Sequence, residues 1–357
     1  MGGFPAERVR IELDRANVPS ASIAWVRGDG SSGTFVHGVA DPVSGRLVDA
    51  STAFHLFSGT KLYTATAVMV LVERGLVALD EPIATYLSDL AFHPALTVRH
   101  LLTHTSGLAD TLRAFLAVHF AGDVAPTTGV ALGRYAIDPR KPPAVRARYG
   151  NVNYAILGEL ISRVSGVPFA RFVNDAVLAP LGAGELVFED RGEGTAVGHV
   201  HRFSPMLLLL RWLVPDVARR IRAGRDGRYV TLVPYSLDTA AIGGLVGPAT
   251  GFLPLLREML RTDDGVLRAH TKREMLSVQA RGAVGIVARD GVGLGWKCGR
   301  VDARTYWNHE GGGAGFCSET RLYPADGLGL VILLGVSQSG ALSRLCHRIA
   351  EVMRSSP

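Results

Sequence analysis

The stretch FSGTKLYTATAVMVLVERG at residues 57–75 decides the fold of this 357-residue chain. Strand-like sequence precedes it, and from Lys61 onward Ala, Val, Met and Leu dominate as in a helix, with Gly75 in the place of a C-cap. Residues three apart share one face of a helix, so Ser58 and Lys61 are expected to project side by side. The pattern therefore predicts a hydroxyl and an amine next to each other at a helix N-terminus.

Such a pair can activate a serine without a histidine. The free N–H groups and the positive field of a helix N-terminus favour an alkoxide and then an oxyanion. A lysine whose pKa is lowered by burial accepts the hydroxyl proton. The spacing alone is a weak signal, because a serine N-cap followed by a solvated lysine gives the same pattern.

Lysine is rare in this sequence. Of 38 lysines and arginines only four are lysines, at positions 61, 141, 272 and 297. Arginine supplies positive charge elsewhere, whereas only lysine can lose its proton near neutral pH when it is desolvated. Each of the four lysines is therefore a candidate for a role that needs more than charge.

A second group of candidate residues opens the next strongly helical segment, predicted over 151–165. The sequence RARYGNVNY at 146–154 places the phenol of Tyr149 two residues before the amide of Asn151. A tyrosinate near a lysine can act as base for the serine and then as acid for the leaving group, while Asn151 is expected to hold the lysine and the carbonyl side of the substrate. The same spacing recurs at residues 306–308, where we interpret it as strand packing.

A glycine-rich stretch, HEGGGAGF at 309–316, follows a predicted strand. Glycines let a backbone approach a ligand closely, and an N–H from an edge strand completes an oxyanion hole with the serine N–H. Gly311 and Gly312 are therefore predicted contacts of substrate and oxyanion. Because the stretch enters a strand instead of opening a helix, phosphate binding is not expected.

In this order the elements resemble those of the serine β-lactamase and penicillin-binding-protein-like hydrolases, in particular the class C β-lactamase-like esterases. Residues 57–61 resemble the family's Ser-x-x-Lys element and residues 149–151 its Tyr-x-Asn element, and residues 309–311 stand where Lys-Thr-Gly belongs. LTVRHLLTHTSGL at 96–108 and IGGLVG at 242–247 are close to two further signatures. The resemblance covers nearly the whole chain and implies an acylated serine in a cleft between two domains, with no metal.

The order of predicted elements agrees with that fold. A helix and a β-hairpin begin the chain, helices and loops fill the middle, and strands with a final helix close it. We predict an α/β (α+β) architecture of β-lactamase/transpeptidase type, with an antiparallel sheet flanked by helices. Residues 1–60 and 238–357 form the α/β domain, and residues 61–237 form an inserted all-helical domain in which 199–230 is a basic, apolar, lid-like segment.

Two departures from the family direct the expected function. In β-lactamases and D,D-peptidases the Lys and Thr of the third element help to bind a substrate carboxylate, but here they are His309 and Glu310. A glutamate that points into the cleft repels a carboxylate. No secretion signal is visible at the N-terminus, so we expect a cytoplasmic protein. Together these features favour a carboxylesterase acting on small-molecule esters, lipophilic ones included.

The expected reaction is a two-step acyl transfer. Lys61, neutral or sharing a proton with Tyr149, lets Ser58 attack the carbonyl, and Tyr149 protonates the leaving alcohol. The N–H groups of Ser58 and Gly312 hold the oxyanion, and His309 orients the leaving group or tunes Tyr149. The alternatives are a β-lactamase, a D-amino-acid amidase or peptidase, an acyltransferase, and a catalytically silent binding or membrane-docking protein.

Most of the net charge lies in one segment. Seven arginines and two aspartates within 199–230 account for five of the six units of net positive charge. Between 203 and 228 the arginines alternate with Phe, Met, Leu and Trp, as in helices that cover an apolar groove or lie on a membrane. Three interpretations stay open: an element packed on its own core, a lid over an acyl site, or a peripheral membrane or protein contact. Stacking aromatics and a nucleic-acid module are missing, so nucleic acid is not an expected partner.

The sequence predicts neither a metal nor another cofactor. His100 and His104 lie four residues apart on a predicted helix, but the Glu of a His-Glu-x-x-His motif is absent. Three scattered cysteines form no Cys-x-x-Cys pair and are expected to be reduced. No apolar run reaches the length that spans a bilayer. The oligomeric state stays open.

Overall fold

One antiparallel sheet organises the molecule. The computed structural model describes residues 5–111, 117–282, 284, 290–301, 304–337 and 339–354. The strands are β1 Ser20–Arg27, β2 Ser32–Asp41, β3 Arg46–Leu47, β4 Phe54–His55, β5 Val118–His119, β6 His199–His201, β7 Arg222–Asp226, β8 Tyr229–Leu232, β9 Ser236–Leu237, β10 Val246–Gly247, β11 Gly291–Val292, β12 Lys297–Val301, β13 Arg304–Gly312, β14 Cys317–Tyr323 and β15 Leu328–Leu334. The α-helices are α1 Ala6–Arg15, α2 Thr60–Glu73, α3 Val98–Leu102, α4 Thr128–Leu132, α5 Asn151–Ser165, α6 Phe169–Val173, α7 Ala179–Leu181, α8 Pro205–Leu213, α9 Pro215–Arg220, α10 Ala240–Gly243, α11 Leu253–Leu260, α12 Ala269–Met275 and α13 Gly340–Arg354.

The large sheet joins the two ends of the chain. Its strand order is β11-β12-β13-β14-β15-β1-β2-β3, and β1 pairs antiparallel with β15, so that Ile23 lies opposite Ile332. The predicted hairpin of the N-terminal part and the predicted strands of the C-terminal part are therefore neighbours in one sheet. This confirms the predicted fold class, an antiparallel sheet flanked by helices.

The two faces of the sheet pack against different helices. Successive side chains of a strand point to opposite faces. Ile23 and Ile332 belong to a core shared with α1 and α13, whereas Ala24 and Val331 belong to the larger core that contains α2 and α5. Alternate side chains of β1 and β15 therefore pack against the helices on opposite faces of the sheet.

Helix α2 lies at the centre of the larger core. All of its residues from Thr60 to Leu71 are buried, as expected for a helix that is apolar on every side. The chain leaves the helix at Gly75, whose φ of +70° is the left-handed conformation of a C-terminal glycine. The prediction from the opening stretch is confirmed, and the buried helix provides a rigid base for the residues at its N-terminus.

The sequence analysis predicted an all-helical domain in the middle of the chain, and the structure contradicts this. Strands β6, β8 and β7 form a three-stranded antiparallel sheet within the segment 199–230 and just beyond it. The physical reason is the sequence YVTL of β8, whose β-branched and aromatic side chains favour a strand, together with the Asp226-Gly227 turn before it. The arginine-rich, apolar composition of the segment favoured a helix in the sequence analysis, so this hairpin was not predicted. The domain boundaries stay a prediction.

Candidate active site

A short turn presents Ser58 at the start of α2. Residues Phe57–Gly59 form one 3₁₀ turn directly before the helix. Phe57 has a φ of +49°, a conformation that costs a bulky residue about 1–3 kcal/mol. The rings of His55 and Phe316 pack against Phe57, with centroids 5.5 and 6.4 Å away. This packing holds the turn that carries the serine.

Lys61 reaches the serine from one helical turn further on. Its Nζ lies 3.0 Å from Ser58 Oγ, 2.9 Å from Asn151 Oδ1 and 2.7 Å from the Ile242 carbonyl oxygen. Complete burial, and after it the positive charge of Lys297, hold the pKa of Lys61 well below its ordinary value. A neutral amine donates its two protons to the two carbonyl oxygens, which leaves its lone pair for the serine proton.

Tyr149 approaches Ser58 from the other side. Its hydroxyl donates to Ser58 Oγ over 2.8 Å. Burial raises the pKa of Tyr149 above its ordinary value, so the resting group is the phenol and not the tyrosinate considered from the sequence. The serine oxygen therefore lies between a proton donor and a proton acceptor.

Asn151 is held in place by Asp110. The Asn151 amide donates to Asp110 Oδ2 over 3.1 Å, and the Val152 N–H donates to Asp110 Oδ1 over 2.8 Å. Asp110 thus satisfies an N–H at the start of α5 and fixes the amide whose oxygen faces Lys61. The sequence analysis did not single out Asp110, because no motif places it 41 residues before its partner.

His104 supports the Tyr149 segment and is not arranged as a metal ligand. Its Nδ1 accepts from the Gly150 N–H over 3.3 Å and lies 3.0 Å from Asn153 Nδ2. Its ring lies 4.6 Å from the ring of Tyr149, and burial keeps its pKa well below the ordinary value. The other histidine of the pair, His100, bonds to the Thr97 cap of its own helix. Among the described residues there is no cluster of His, Cys, Asp and Glu fit for a metal.

Strand β13 passes close to the nucleophile turn at Gly311. A Cβ on Gly311 would lie 2.2 Å from the Leu56 carbonyl oxygen and 3.1 Å from the Ser58 nitrogen. Only glycine allows that approach. Gly312 follows on the same strand, opposite Cys317. The predicted oxyanion strand therefore runs beside the Ser58 N–H, and the role of its N–H groups stays a prediction.

His309 contributes a neutral imidazole. Its Nδ1 lies 2.9 Å from the Glu310 carbonyl oxygen and acts as donor there, which leaves Nε2 as an acceptor. Nε2 is buried without a hydrogen-bond partner among the described residues. Burial, and after it the positive charge of Lys297, hold the pKa of His309 well below its ordinary value. The ring lies 6.1 Å from that of Tyr149, so His309 is beside the predicted acid.

Glu310 does not stand at the cleft edge as a free negative charge. It is buried and pairs with Lys297, whose Nζ is 3.0 Å from Glu310 Oε2. The same Nζ lies 4.8 Å from the ring centroid of Tyr149. Lys297 comes from the neighbouring strand β12, in register with Asn308. A lysine therefore lies near Tyr149 although the third element has none, and lysine scarcity was the sequence signal that pointed to it.

A buried histidine–aspartate pair lies behind the nucleophile turn. His55 Nε2 is 3.0 Å from Asp190 Oδ2, and Asp190 also accepts from Thr195 Oγ1 and the Gly192 N–H. Against the opposing effect of burial, these hydrogen bonds keep the pKa of Asp190 below its ordinary value. Because His55 packs on Phe57, the pair stabilises the turn that carries the serine. Local sequence gives no signal for it, since 135 residues separate the partners.

The segment 199–230 packs on the protein with its inner face. Leu207, Leu210, Ile221 and Val230 are buried. The interpretation of an element packed on its own core therefore holds for these side chains. The lid over an acyl site stays a prediction.

The comparisons with known proteins agree with this fold. A family model described as Beta-lactamase matches residues 6–349, so the chain belongs to the beta-lactamase family. Two similar curated proteins are the putative penicillin-binding protein PbpX of Bacillus subtilis (strain 168), 28% identical over 196 residues, and esterase EstB of Burkholderia gladioli, 34% identical over 165 residues.

These likenesses differ in extent. The match to PbpX covers 54% of this chain and 47% of that protein, and the match to EstB covers 41% of each. The chain thus spans less than half the length of both curated relatives. The crystal structure of D-amino acid amidase from Ochrobactrum anthropi SV3, complexed with D-phenylalanine, superposes with a TM-score of 0.81 over 98% of both chains at 21% identity. At that identity the likeness concerns the fold.

Proposed function

We propose that this protein is a serine hydrolase that cleaves carboxylic esters through an acyl-enzyme at Ser58. The observation that carries the proposal is the placement of Ser58 Oγ, 2.8 Å from the Tyr149 hydroxyl and 3.0 Å from Lys61 Nζ. Burial favours the neutral form of both partners. A neutral amine and a neutral phenol are the base and the acid that acyl transfer requires at one oxygen.

The reaction has two balanced halves. In the first, Ser58 Oγ bonds to the ester carbonyl carbon while its proton passes to Lys61 Nζ. The bond to the alcohol oxygen then breaks, Tyr149 protonates that oxygen, and the ammonium of Lys61 restores the phenol. In the second half, water replaces the alcohol and the same proton transfers run in reverse, which releases the acid and regenerates Ser58. An alcohol in place of that water gives acyl transfer.

The charge that develops on the carbonyl oxygen needs backbone donors. We assign this role to the N–H groups of Ser58 and Gly312, because Gly311 brings β13 against the nucleophile turn. Each donor of this kind contributes about 10²–10³ in rate. Asn151, fixed by Asp110, keeps Lys61 aimed at the serine.

The third element favours esters over substrates that carry a carboxylate. His309 is neutral, and Lys297 is already paired with Glu310, so neither group offers a free positive charge to bind the carboxylate of a β-lactam or a peptide terminus. The similarity to esterase EstB supports the same choice. Amide hydrolysis is the second candidate, because the free Nε2 of His309 is able to accept an N–H from an amide substrate.

Turnover of three substrate classes, which are esters, a β-lactam and an amide, tests the proposal. We expect p-nitrophenyl acetate, butyrate and octanoate to be hydrolysed far faster than nitrocefin or D-phenylalanine amide, and we expect all turnover to vanish in Ser58→Ala. Faster amide or nitrocefin hydrolysis supports the amidase or the β-lactamase instead. Ester hydrolysis that survives in Ser58→Ala contradicts the assigned nucleophile.

A further inference from the structure

Helix α8 and the turn before it display an apolar stripe to solvent. Phe203, Leu208 and Trp212 are 74%, 71% and 83% exposed. Leu208 and Trp212 lie four residues apart and so share one side of the helix, with the exposed Pro205 one turn before them. The buried Leu207 and Leu210 attach the opposite side to the protein. Packing on the protein's own core therefore accounts for half of this helix and leaves the other half unexplained.

Seven arginines lie in the same segment, 199–230, as this stripe. Arg219 and Arg220 pair with Asp216 and Asp123. Of the other five, which are all exposed, Arg202 lies with its guanidinium carbon 4.7 Å from the ring centroid of Phe203. Within the described ranges no ion pair is formed by the remaining four, Arg211, Arg222, Arg225 and Arg228. Uncompensated guanidinium groups next to exposed aromatic rings attract an anionic, amphiphilic partner.

A basic cleft adjoins the stripe. It has a volume of about 880 Å³ and lies between α1, α13 and the region of β6 and β8. Phe203 and Pro205 line it together with Arg228 and Arg344. The cleft therefore joins apolar surface to positive charge at the same place, as the phosphate and upper acyl carbons of a phospholipid require.

We propose that this surface, defined by Phe203, Leu208, Trp212 and the arginines at 211, 222, 225 and 228, binds membranes that contain anionic phospholipid. The apolar side chains enter the boundary between headgroups and acyl chains, and the arginines contact the phosphates. The proposed contact is peripheral, because only side chains of this surface enter the membrane. None of the helices in the described part of the chain is long and apolar enough to cross a membrane. The inference is independent of the reaction at Ser58.

Vesicle sedimentation tests the proposal on the intact protein. We expect binding to phosphatidylcholine vesicles that contain phosphatidylglycerol and little binding to phosphatidylcholine alone. Leu208→Glu is expected to abolish it, whereas Val43→Glu, at a residue 95% exposed elsewhere, is expected to leave it intact. Arg222→Glu/Arg225→Glu is expected to weaken binding by more than about tenfold.

Controls separate the surface from general charge and from the reaction. Arg10→Glu/Arg171→Glu makes the same change of charge at exposed residues elsewhere and should bind like the wild type. Leu208→Glu should hydrolyse a water-soluble ester at the wild-type rate, and Ser58→Ala should bind vesicles fully. Failure of vesicle binding and failure of ester hydrolysis are therefore distinguishable.

Tryptophan fluorescence locates the contact. Trp212 is exposed, whereas Trp296 and Trp307 are buried and Trp25 is half-buried. Anionic vesicles should shift the emission to shorter wavelength and brominated lipid should quench it, and both effects should disappear in Trp212→Phe. No vesicle binding, equal loss in the control variants, or concentration-dependent self-association abolished by Leu208→Glu would overturn the proposal, the last in favour of a second copy of the chain.

Discussion

Replacing Lys297 by methionine is expected to reveal two separate contributions of this lysine. Lys297 and Glu310 are 4% and 6% exposed and lie 3.0 Å apart. Lys297→Met removes the lysine partner of a buried carboxylate, which costs about 3–5 kcal/mol of unfolding free energy. Lys297→Met/Glu310→Leu removes both charges and should recover most of that loss, because buried ion pairs are replaced by apolar groups at little cost.

The effect on activity should not recover with stability. Lys297 Nζ lies 4.8 Å from the ring centroid of Tyr149. At an effective dielectric constant of about 20, two unit charges at that distance interact with an energy of about 3 kcal/mol. Glu310 cancels part of this, so we expect kcat/KM of the double variant to fall by about tenfold. The charge of Lys297 also lowers the pKa of Lys61. Loss of Lys297 should therefore raise the pKa of Lys61 and move the acidic limb of the pH–rate profile to higher pH.

Urea unfolding and pH–rate profiles of both variants and of Glu310→Leu measure the two contributions. The expected result is a stable double variant with reduced kcat/KM and a displaced acidic limb. A double variant with wild-type stability, rate and pH profile would refute the electrostatic argument and leave Lys297 a structural residue only.

Three further predictions concern protonation and packing. Because the pKa of Lys61 is lowered, kcat/KM should rise with pH as Lys61 loses its proton. Because the pKa of Tyr149 is raised, kcat/KM should then stay level through about pH 10, where a free phenol ionises. A fall of kcat/KM near pH 10 contradicts the assignment. His104 and His309 are buried and neutral, so each takes up a proton on unfolding below about pH 6.5. Each should therefore lower the unfolding free energy by about 1.4 kcal/mol per pH unit of acidification. Urea titrations at several pH values measure this slope, and its absence contradicts the prediction. Asp190→Asn should lower the unfolding free energy by about 1–3 kcal/mol and slow ester hydrolysis, as measured by urea unfolding and initial rates; an unchanged stability would mean that the pair with its histidine is unimportant.

The sequence predicted the centre of the site because that part is coded locally. Ser58 and Lys61 lie within one helical turn, and Tyr149 and Asn151 flank the start of another helix. A helix N-terminus fixes where such side chains point, and the structure brings all four together. The predicted helix over 151–165 coincides with α5 for the same reason, since its apolar pattern is strong.

The supporting residues were not predictable from local sequence. Lys297 meets Glu310 only through the register of β12 with β13. Asp110 and His104 reach the Tyr149 segment from a loop and a helix end, and Asp190 reaches its histidine across 135 residues. These contacts form only when strands and loops that are distant in the sequence come together in the fold, so a single sequence does not predict them. Lysine scarcity was the only local signal, and it gave no partner.

The helical prediction for the segment 199–230 failed for a different reason. Its composition favours an amphipathic helix, and α8 and α9 do form there. Strands β7 and β8 depend on pairing with each other and with β6, and such tertiary pairing outweighs composition. The Asp226-Gly227 turn was the local signal that would have found them.

The central claim is a covalent acyl-enzyme at Ser58, and one measurement tests it most directly. The intact mass of the protein is recorded after treatment with a fluorophosphonate, and digestion locates the adduct. We predict a single adduct on Ser58, loss of ester turnover in proportion to labelling, and no adduct in Ser58→Ala. An adduct on another residue, or ester turnover that persists in the fully labelled protein, would contradict the account.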